Sequence, residues 1–438
     1  MTATSRRSPA GTIRSSLRRR AGQRGVAALF VTVMLSFAMV LAVAVAHRNV
    51  GVEEQRSANE LRAASAFEAA EAGLDWALAL INDPTRLGAD CLPSADPTAL
   101  SFRERMVRID VPSGDIAVRT WTDGATPLPL QAACLRGADG WTCSCPTGGR
   151  PVLAPAPGNL VAPAFVIELA ASTRPDVVRV IATGCTRSGA AATCAASVDA
   201  ASEATARLEA AWAMLPALRS SPAAALTVHG DIDVGAAPLG VHNVDAGSGA
   251  LAVHAGGRIG ATALRIGAPA GASLGGSLAG DDPALRALSA DRFFARTFGM
   301  GTPAWAAQPA ARRFGCTIDC ARTIGVAIAA GQRLLVVEGD ATIIGPTTFG
   351  TADDPVVILA TGALRLSGDV EVHGVVAATS LDWNDTTPGS AFVRGAVVAG
   401  AYRGNGTADL RRDTAILKRL TVGNGSFVRV NGSWKDFE

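Results

Sequence analysis

The chain has 438 residues, of which 48% are hydrophobic and 18% are charged, and its formal net charge is +2. The first 25 residues contain seven arginines and no acid, so the rest of the chain carries +2 minus 7, or −5. This length suffices for two or three domains, and an acidic main part without a basic, aromatic-interleaved stripe argues against nucleic-acid binding.

An apolar segment at residues 26–46 is the first predicted element. It contains no charged residue and no proline. As a helix it would be about 31 Å long, close to the ~30 Å thickness of bilayer hydrocarbon. Arginines before such a segment are typical of a cytoplasmic flank, so we expect the chain after residue 46 to be exported.

Helical composition continues past the apolar segment as far as Ile81, and Pro84 then disfavours helix in the residue before it. We therefore predict one helix over residues 26–82, with residues 26–46 in the membrane. The exported part of this helix carries apolar residues at helical spacing: Phe67, Ala70, Leu74, Leu78 and Ile81. We favour contact of this stripe with the core of the next domain, and contact with partner subunits is the alternative.

Gly25 before the apolar segment, the arginines that precede it and the segment 66–74 (AFEAAEAGL) resemble the N-terminal region of PilX-type minor pilins. The resemblance covers residues 23–81 and is weaker in the C-terminal half. It implies a basic prepilin leader at residues 1–25, cut by a prepilin peptidase between Gly25 and Val26, and a methylated Val26 amine. It also implies other pilin subunits as partners, in the inner membrane with a periplasmic C-terminal region, or in an extracellular pilus.

Phe30 departs from the major pilins, which carry a glutamate as the fifth mature residue. A carboxylate in lipid is costly unless it is paired, for example with a neighbour's N-terminal amine. PilX-type proteins often lack this acid. The resemblance therefore implies a minor subunit, in which Phe30 belongs to the face that packs against neighbouring helices.

The cysteines all follow the apolar segment, and their number is even: Cys91, Cys134, Cys143, Cys145, Cys185, Cys194, Cys316 and Cys320. An oxidising compartment makes disulfides the expected state. Local spacing favours Cys185 with Cys194 and Cys316 with Cys320. Cys143 and Cys145 are expected to reach outward, with Cys134 and Cys91 as candidate partners. A zinc site is the rival, but paired C-x₂-C spacing is lacking, so we predict no metal.

Residues 83–221 predict an antiparallel β head that follows the helix, which makes the fold class α+β. Strand-like runs occur at 105–111, 115–121, 164–169, 177–184, 192–200 and 203–214, and the first two and the last alternate with period two. We expect the first two runs to pair as strands. A helix that continues into a sheet is also the pilin plan that the resemblance implies.

Residues 222–438 have a different sequence pattern, in which short segments of alternating apolar residues end at glycine or Gly-Asp. Short strands with glycine corners are typical of a β-solenoid, which we favour over a β-sandwich. The segment 281–299 interrupts the pattern and predicts a helix, with Asp282 or Ser289 as a cap, that covers an end or flank of the solenoid. The tail, residues 432–438, is expected to fold back against the last coil.

No catalytic motif is present: we find no Gly-x-Ser-x-Gly elbow, P-loop or HExxH sequence. His229, His254 and His373 occupy similar places in three segments, which a stacked metal column or simple strand ends would explain; we favour strand ends. The aspartates near turns fit turn chemistry better than a carboxylate cluster: Asp231, Asp233, Asp340, Asp353, Asp354, Asp369, Asp382 and Asp385.

We therefore expect a non-enzymatic, cofactor-free minor pilin-like subunit that contributes to pilus assembly or adhesion. One alternative is a membrane-anchored periplasmic β-helix enzyme acting on polysaccharide. Another is a pseudopilin of a type II secretion system, which differs from the first in its partner set.

Overall fold

The computed structural model describes residues 24–153, 162–187, 194, 204–261, 264–316, 318–385 and 391–436. The chain divides into two compact units, one ending at Leu61 and one formed by Arg62–Glu438, and the sheets belong to the second. The predicted leader, apart from its last two residues, and the predicted strand at 192–200, apart from Cys194, lie outside the described residues.

The head begins with one long helix and continues as short strands and a sheet. Its elements are α1 Arg24–Asn82, α2 Phe102–Met106, β1 Val107–Ile109, β2 Ile116–Val118, β3 Thr120–Asp123, β4 Thr126–Pro129, β5 Gln131–Gly137, β6 Gly140–Ser144, β7 Ala162–Ala171, β8 Val177–Arg187 and β9 Thr205–Pro216. Strands β5 to β9 pair antiparallel, as predicted.

The second half of α1 lies close to this sheet because small residues face each other. A Cβ on Gly184 of β8 would lie 2.6 Å from the amide nitrogen of Ala70 and closer still to the carbonyl oxygen of Ala66. Ala66, Ala70 and Ala77 are wholly buried, so the helix backbone sits almost directly on the strand. Glycine is needed at position 184 because any side chain would push the helix away.

The remaining strands and helices follow in the C-terminal half of the sequence. They are β10 Leu226–Val228, β11 Ile232–Val234, β12 Leu239–His242, β13 Val253–Ala255, β14 Ile259–Ala261, β15 Leu264–Gly267, β16 Leu278–Ala279, α3 Pro283–Arg286, α4 Ala290–Phe298, α5 Thr302–Ala306, β17 Ala311–Phe314, α6 Ala321–Ala329, β18 Leu334–Val337, β19 Ala341–Ile344, β20 Thr347–Phe349, β21 Val356–Ser367, β22 Val370–Asp385, β23 Phe392–Ala399, β24 Tyr402–Gly406, β25 Asp409–Arg412, α7 Thr414–Val422 and β26 Gly425–Arg429. Strands β10 to β25 pair in parallel, coil on coil, which is the arrangement of a solenoid and not of an antiparallel sandwich.

The coils do not stack in the order of the sequence. The first coil, β10–β12, pairs on one side with the second coil, β13–β15, and on the other side with the last coil, β23–β25. From β16 the chain passes through α3–α5 to β17, which pairs with β18. The coils then continue until the last one meets the first.

The strands that face α3–α5 are buried on both sides, which explains their continuous apolar runs. In β18, Leu335 and Val337 point into the solenoid core, whereas Leu334 and Val336 pack with Phe298 of α4. The predicted helical interruption, residues 281–299, thus consists of two helices, α3 and α4, on the flank of the solenoid, and α5 follows them. Both expected caps are used: Asp282 caps α3 and Ser289 caps α4.

Two local predictions were wrong. Arg105 and Met106 are helical because Ser101 and Glu104 form a capping box that starts α2. The described part of the tail, residues 432–436, does not return to the last coil but joins the head sheet. Strand β26 pairs with β9 there, and Lys435 forms a bridge with Glu209.

Candidate functional site

The first part of α1 is apolar and unburied. Among the described residues this is the one helix long and apolar enough to cross a membrane. Val26 is 76% exposed and Phe30 is 62% exposed. Gly25 lies in the first turn of the helix, directly before the apolar run. The predicted membrane segment is therefore an exposed apolar helix surface.

The second part of α1 buries the predicted stripe. Leu74 is 1% exposed and lies in the head core, and Phe67 and Leu78 are partly buried against the same core. The Phe67 ring also meets the Trp434 ring edge-on, with 6.2 Å between centroids. Phe67, Leu74 and Leu78 are thus brought together by the head, and Phe30 is not.

Arg103 of α2 closes the C-terminal end of α1, a role that the sequence did not reveal. Its guanidinium donates to the carbonyl oxygens of Ile81 and Gly425, each at 2.9 Å, and lies over the Phe427 ring. Burial lowers the pKa of Arg103 to about 10, although the negative charge of Glu104 acts to raise it. A cation is favourable at this helix end, where backbone carbonyls lack helical partners.

The eight cysteines form four disulfides in the structure: Cys91–Cys145, Cys134–Cys143, Cys185–Cys194 and Cys316–Cys320. The two local pairs are those favoured by spacing. Cys143 pairs with Cys134 and Cys145 pairs with Cys91, the two candidate partners expected from the sequence. The first of these bridges ties the loop after α1 to the segment that follows β6.

The three histidines at similar sequence places are not stacked. In the parallel register His254 lies opposite Thr227 and His373 lies opposite Arg394. His254 instead contacts Asp282 at 2.7 Å, and His229 contacts the Leu288 carbonyl oxygen at 2.8 Å. These contacts tie the solenoid to its flanking helices and give no metal column.

Two of the turn aspartates bond from one coil to the next. Asp231 accepts from the amide of Arg258 at 2.8 Å, and Asp340 accepts from the amide of Ala363 at 2.8 Å. A glycine precedes each of these two aspartates, and another lies under each carboxylate, at Gly257 and Gly362. In these two Gly-Asp turns the carboxylate accepts a hydrogen bond from a backbone amide of the next coil. Both carboxylates therefore have a structural partner in the solenoid.

Asp409 contacts one histidine and two arginines where the first and last coils meet. It accepts from His242 at 3.1 Å, from Arg265 at 2.9 Å and from Arg411 at 2.6 Å. Gly240 lies between Asp409 and Arg265 in register, and its lack of a side chain lets them meet. Although burial raises the pKa of Asp409, hydrogen bonds from Arg411 and His242 hold it below its usual value.

Metal binding finds no support within the part of the chain that the structure describes. No three His, Cys, Asp or Glu side chains come together there in a group that could hold an ion. The candidate functional site is α1, which is apolar at its start and packed into the head at its end.

No family model matches the chain, and no curated protein matches it. Among solved structures, it is similar to the competence-associated pilin ComZ from Thermus thermophilus, with 11% identity and a TM-score of 0.19 over 86% of this chain and 98% of that one. A likeness at this TM-score carries no argument about family or function, so the interpretation depends on the residues themselves.

Proposed function

We propose that the chain is a minor pilin-like subunit of a type IV pilus, of the PilX type, that acts by packing its N-terminal helix among those of other pilins. The observation that carries the proposal is the unbroken helix α1, Arg24–Asn82. The same helix is exposed and apolar at residues 26–46, and from Ala66 onward it packs against the head sheet. A simple membrane anchor needs no such continuity.

The proposal includes cleavage between Gly25 and Val26 by a prepilin peptidase, followed by methylation of the Val26 amine. The exposed Val26 and Phe30 then belong to a hydrophobic face that lipid covers before assembly and neighbouring helices cover afterwards. The subunit resides in the inner membrane with its C-terminal region in the periplasm, or in the pilus.

The same helix would serve a type II secretion pseudopilin, and the two differ in partners. Crosslinking from position 30 in cells, followed by identification of the crosslinked helices, distinguishes them. Pilus subunits among the products support the proposal, whereas secretion-system subunits alone support the pseudopilin.

We propose no catalytic role for the solenoid. Asp231, Asp340 and Asp409 each have structural hydrogen-bond partners, which supports a folding role for these carboxylates. Polysaccharide cleavage by the purified chain that is lost in an Asp353→Asn, Asp354→Asn double variant would favour the enzymatic alternative.

A further inference from the structure

A cavity of about 340 Å³ beside the β1–β2 hairpin is lined by three arginines and no carboxylate. The arginines are Arg105, Arg108 and Arg119. Thr120 and Thr147 also line it, and the other lining residues are aliphatic. This volume lies within the range of small-molecule sites in proteins.

The hairpin places two of these arginines side by side. Arg108 pairs with Ala117 in the antiparallel register. The amide of Arg119 donates to the Met106 carbonyl oxygen at 2.9 Å, which continues the pairing. Arg119 therefore shares the outer face with Arg108, as its diagonal neighbour roughly 7–8 Å away between Cα atoms, and Ala117 leaves open space between them.

Neither Arg108 nor Arg119 has an ion pair among the described residues, although both are exposed. Asp110 lies near enough to feel the charge of Arg108, but its carboxylate is held by Ser113 at 2.7 Å and does not line the cavity. Some exposed arginines elsewhere do have acidic partners, as Arg313 has Glu338, and others, such as Arg365, have none in the described part of the chain. Two neighbouring like charges that lack a direct ion pair repel each other, so the hairpin favours a bound anion.

Arg105 adds a third, buried positive charge. It is 5% exposed, and its guanidinium is held by the carbonyl oxygens of Leu87, Leu100 and Cys145. The disulfide Cys91–Cys145 fixes one of these carbonyl groups. None of the three is a charged acceptor, so the positive charge at this side of the cavity is not neutralised by a direct contact.

We propose that this cavity binds an oxyanion, a carboxylate or a phosphate, carried by a sugar-sized ligand. Guanidinium groups recognise such oxygens in a bidentate manner, the two threonine hydroxyls suit further oxygens, and the aliphatic wall suits the face of a sugar ring. This inference is independent of the proposed pilus function, because it concerns the head alone.

The test is calorimetric titration of the full chain in detergent with glucuronate and, separately, with inorganic phosphate; neutral glucose serves as the uncharged probe. We expect saturable binding of at least one anion that weakens as salt is added. Arg108→Gln and Arg119→Gln should each weaken it at least tenfold. The matched control, Arg365→Gln, removes an exposed strand arginine far along the sequence and should leave binding unchanged.

Glucuronate binding without phosphate binding assigns the site to carboxylates, and the reverse assigns it to phosphates. Both substituted arginines are exposed, so the variants should fold, and circular dichroism checks this. The inference is overturned if wild type binds neither anion saturably, or if a correctly folded double variant binds as tightly as wild type.

Discussion

Asn82, the last residue of α1, and Phe427, in the C-terminal strand β26, form a reciprocal pair of hydrogen bonds. The Asn82 Nδ2 donates to the Phe427 carbonyl oxygen at 2.9 Å, and the Phe427 amide donates to Asn82 Oδ1 at 2.7 Å. Residues 345 apart in sequence are thus joined where the helix ends. The C-terminal strand thereby becomes part of the head that receives the helix.

Replacing Asn82 by leucine should destabilise the head. The change leaves the buried amide and carbonyl groups of Phe427 without partners, which costs about 1–3 kcal/mol for each group. The measurement is the urea midpoint of the detergent-solubilised chain. Asn384→Ala, which removes one exposed bond to Asp382, is the control and should shift the midpoint little. Equal shifts for the two variants would contradict the account.

Gly184→Ala should prevent α1 from docking fully on β8. The new Cβ would meet the backbone of Ala66 and Ala70, which cannot move aside as a flexible side chain could. We expect a lower thermal midpoint and faster proteolysis within residues 62–82. Gly325→Ala in α6 meets no atom within 4 Å and should be neutral or stabilising, since alanine favours helix. A neutral Gly184→Ala would show that the helix does not lie this close to the sheet.

Loss of the Cys91–Cys145 disulfide should cost more than loss of Cys316–Cys320. The first bridge joins residues 54 apart and the second joins residues 4 apart. Loop-closure entropy then predicts a stabilisation of about 4 kcal/mol for the first bridge and about 2 kcal/mol for the second. Double serine variants, compared by their denaturant midpoints under oxidising conditions, provide the measurement. A larger loss for the short bridge would contradict this ranking.

His373 should make the solenoid less stable as the pH falls. Burial lowers the pKa of His373 below its ordinary 6.5, helped by Arg394 and opposed by Glu371 and Asp413. A lowered histidine pKa contributes stability that is present above 6.5 and is lost as the pH falls through the folded-state pKa. The ring edge of Phe392 covers the same imidazole.

The measurement is the thermal midpoint of wild type and His373→Gln between pH 7.5 and about 5. The wild-type midpoint should fall over this interval, and that of the variant should fall less. His47→Gln, at the end of the apolar segment, is the control and should keep the wild-type slope. Parallel profiles for wild type and His373→Gln would contradict the assignment.

Local patterns in the sequence predicted many of the elements, because hydrophobic periodicity and the positions of Gly, Pro and capping residues reflect local geometry. The long helix, the strand at 203–214 and the capped helices after Asp282 follow from such patterns. The stacking order of the coils could not be predicted, because the pairing of Leu226 with both Val253 and Val397 depends on where the chain returns.

The arginines were missed for a different reason. Arg103 and Arg105 look like surface residues by type, and their burial depends on carbonyl groups supplied by distant segments. The Ser101–Glu104 capping box was the one local signal that could have placed them on a helix. Tertiary contacts, which no local pattern encodes, then decide their roles.

The central claim is that α1 begins a processed, assembling subunit at Val26. N-terminal mass spectrometry of the chain purified from membranes of cells with an intact prepilin peptidase tests it most directly. The account predicts a mature chain that starts at methylated Val26, and an uncut chain in cells without the peptidase or with Gly25→Val. A chain from peptidase-competent cells that still begins at Met1, or is cut elsewhere, would contradict the account.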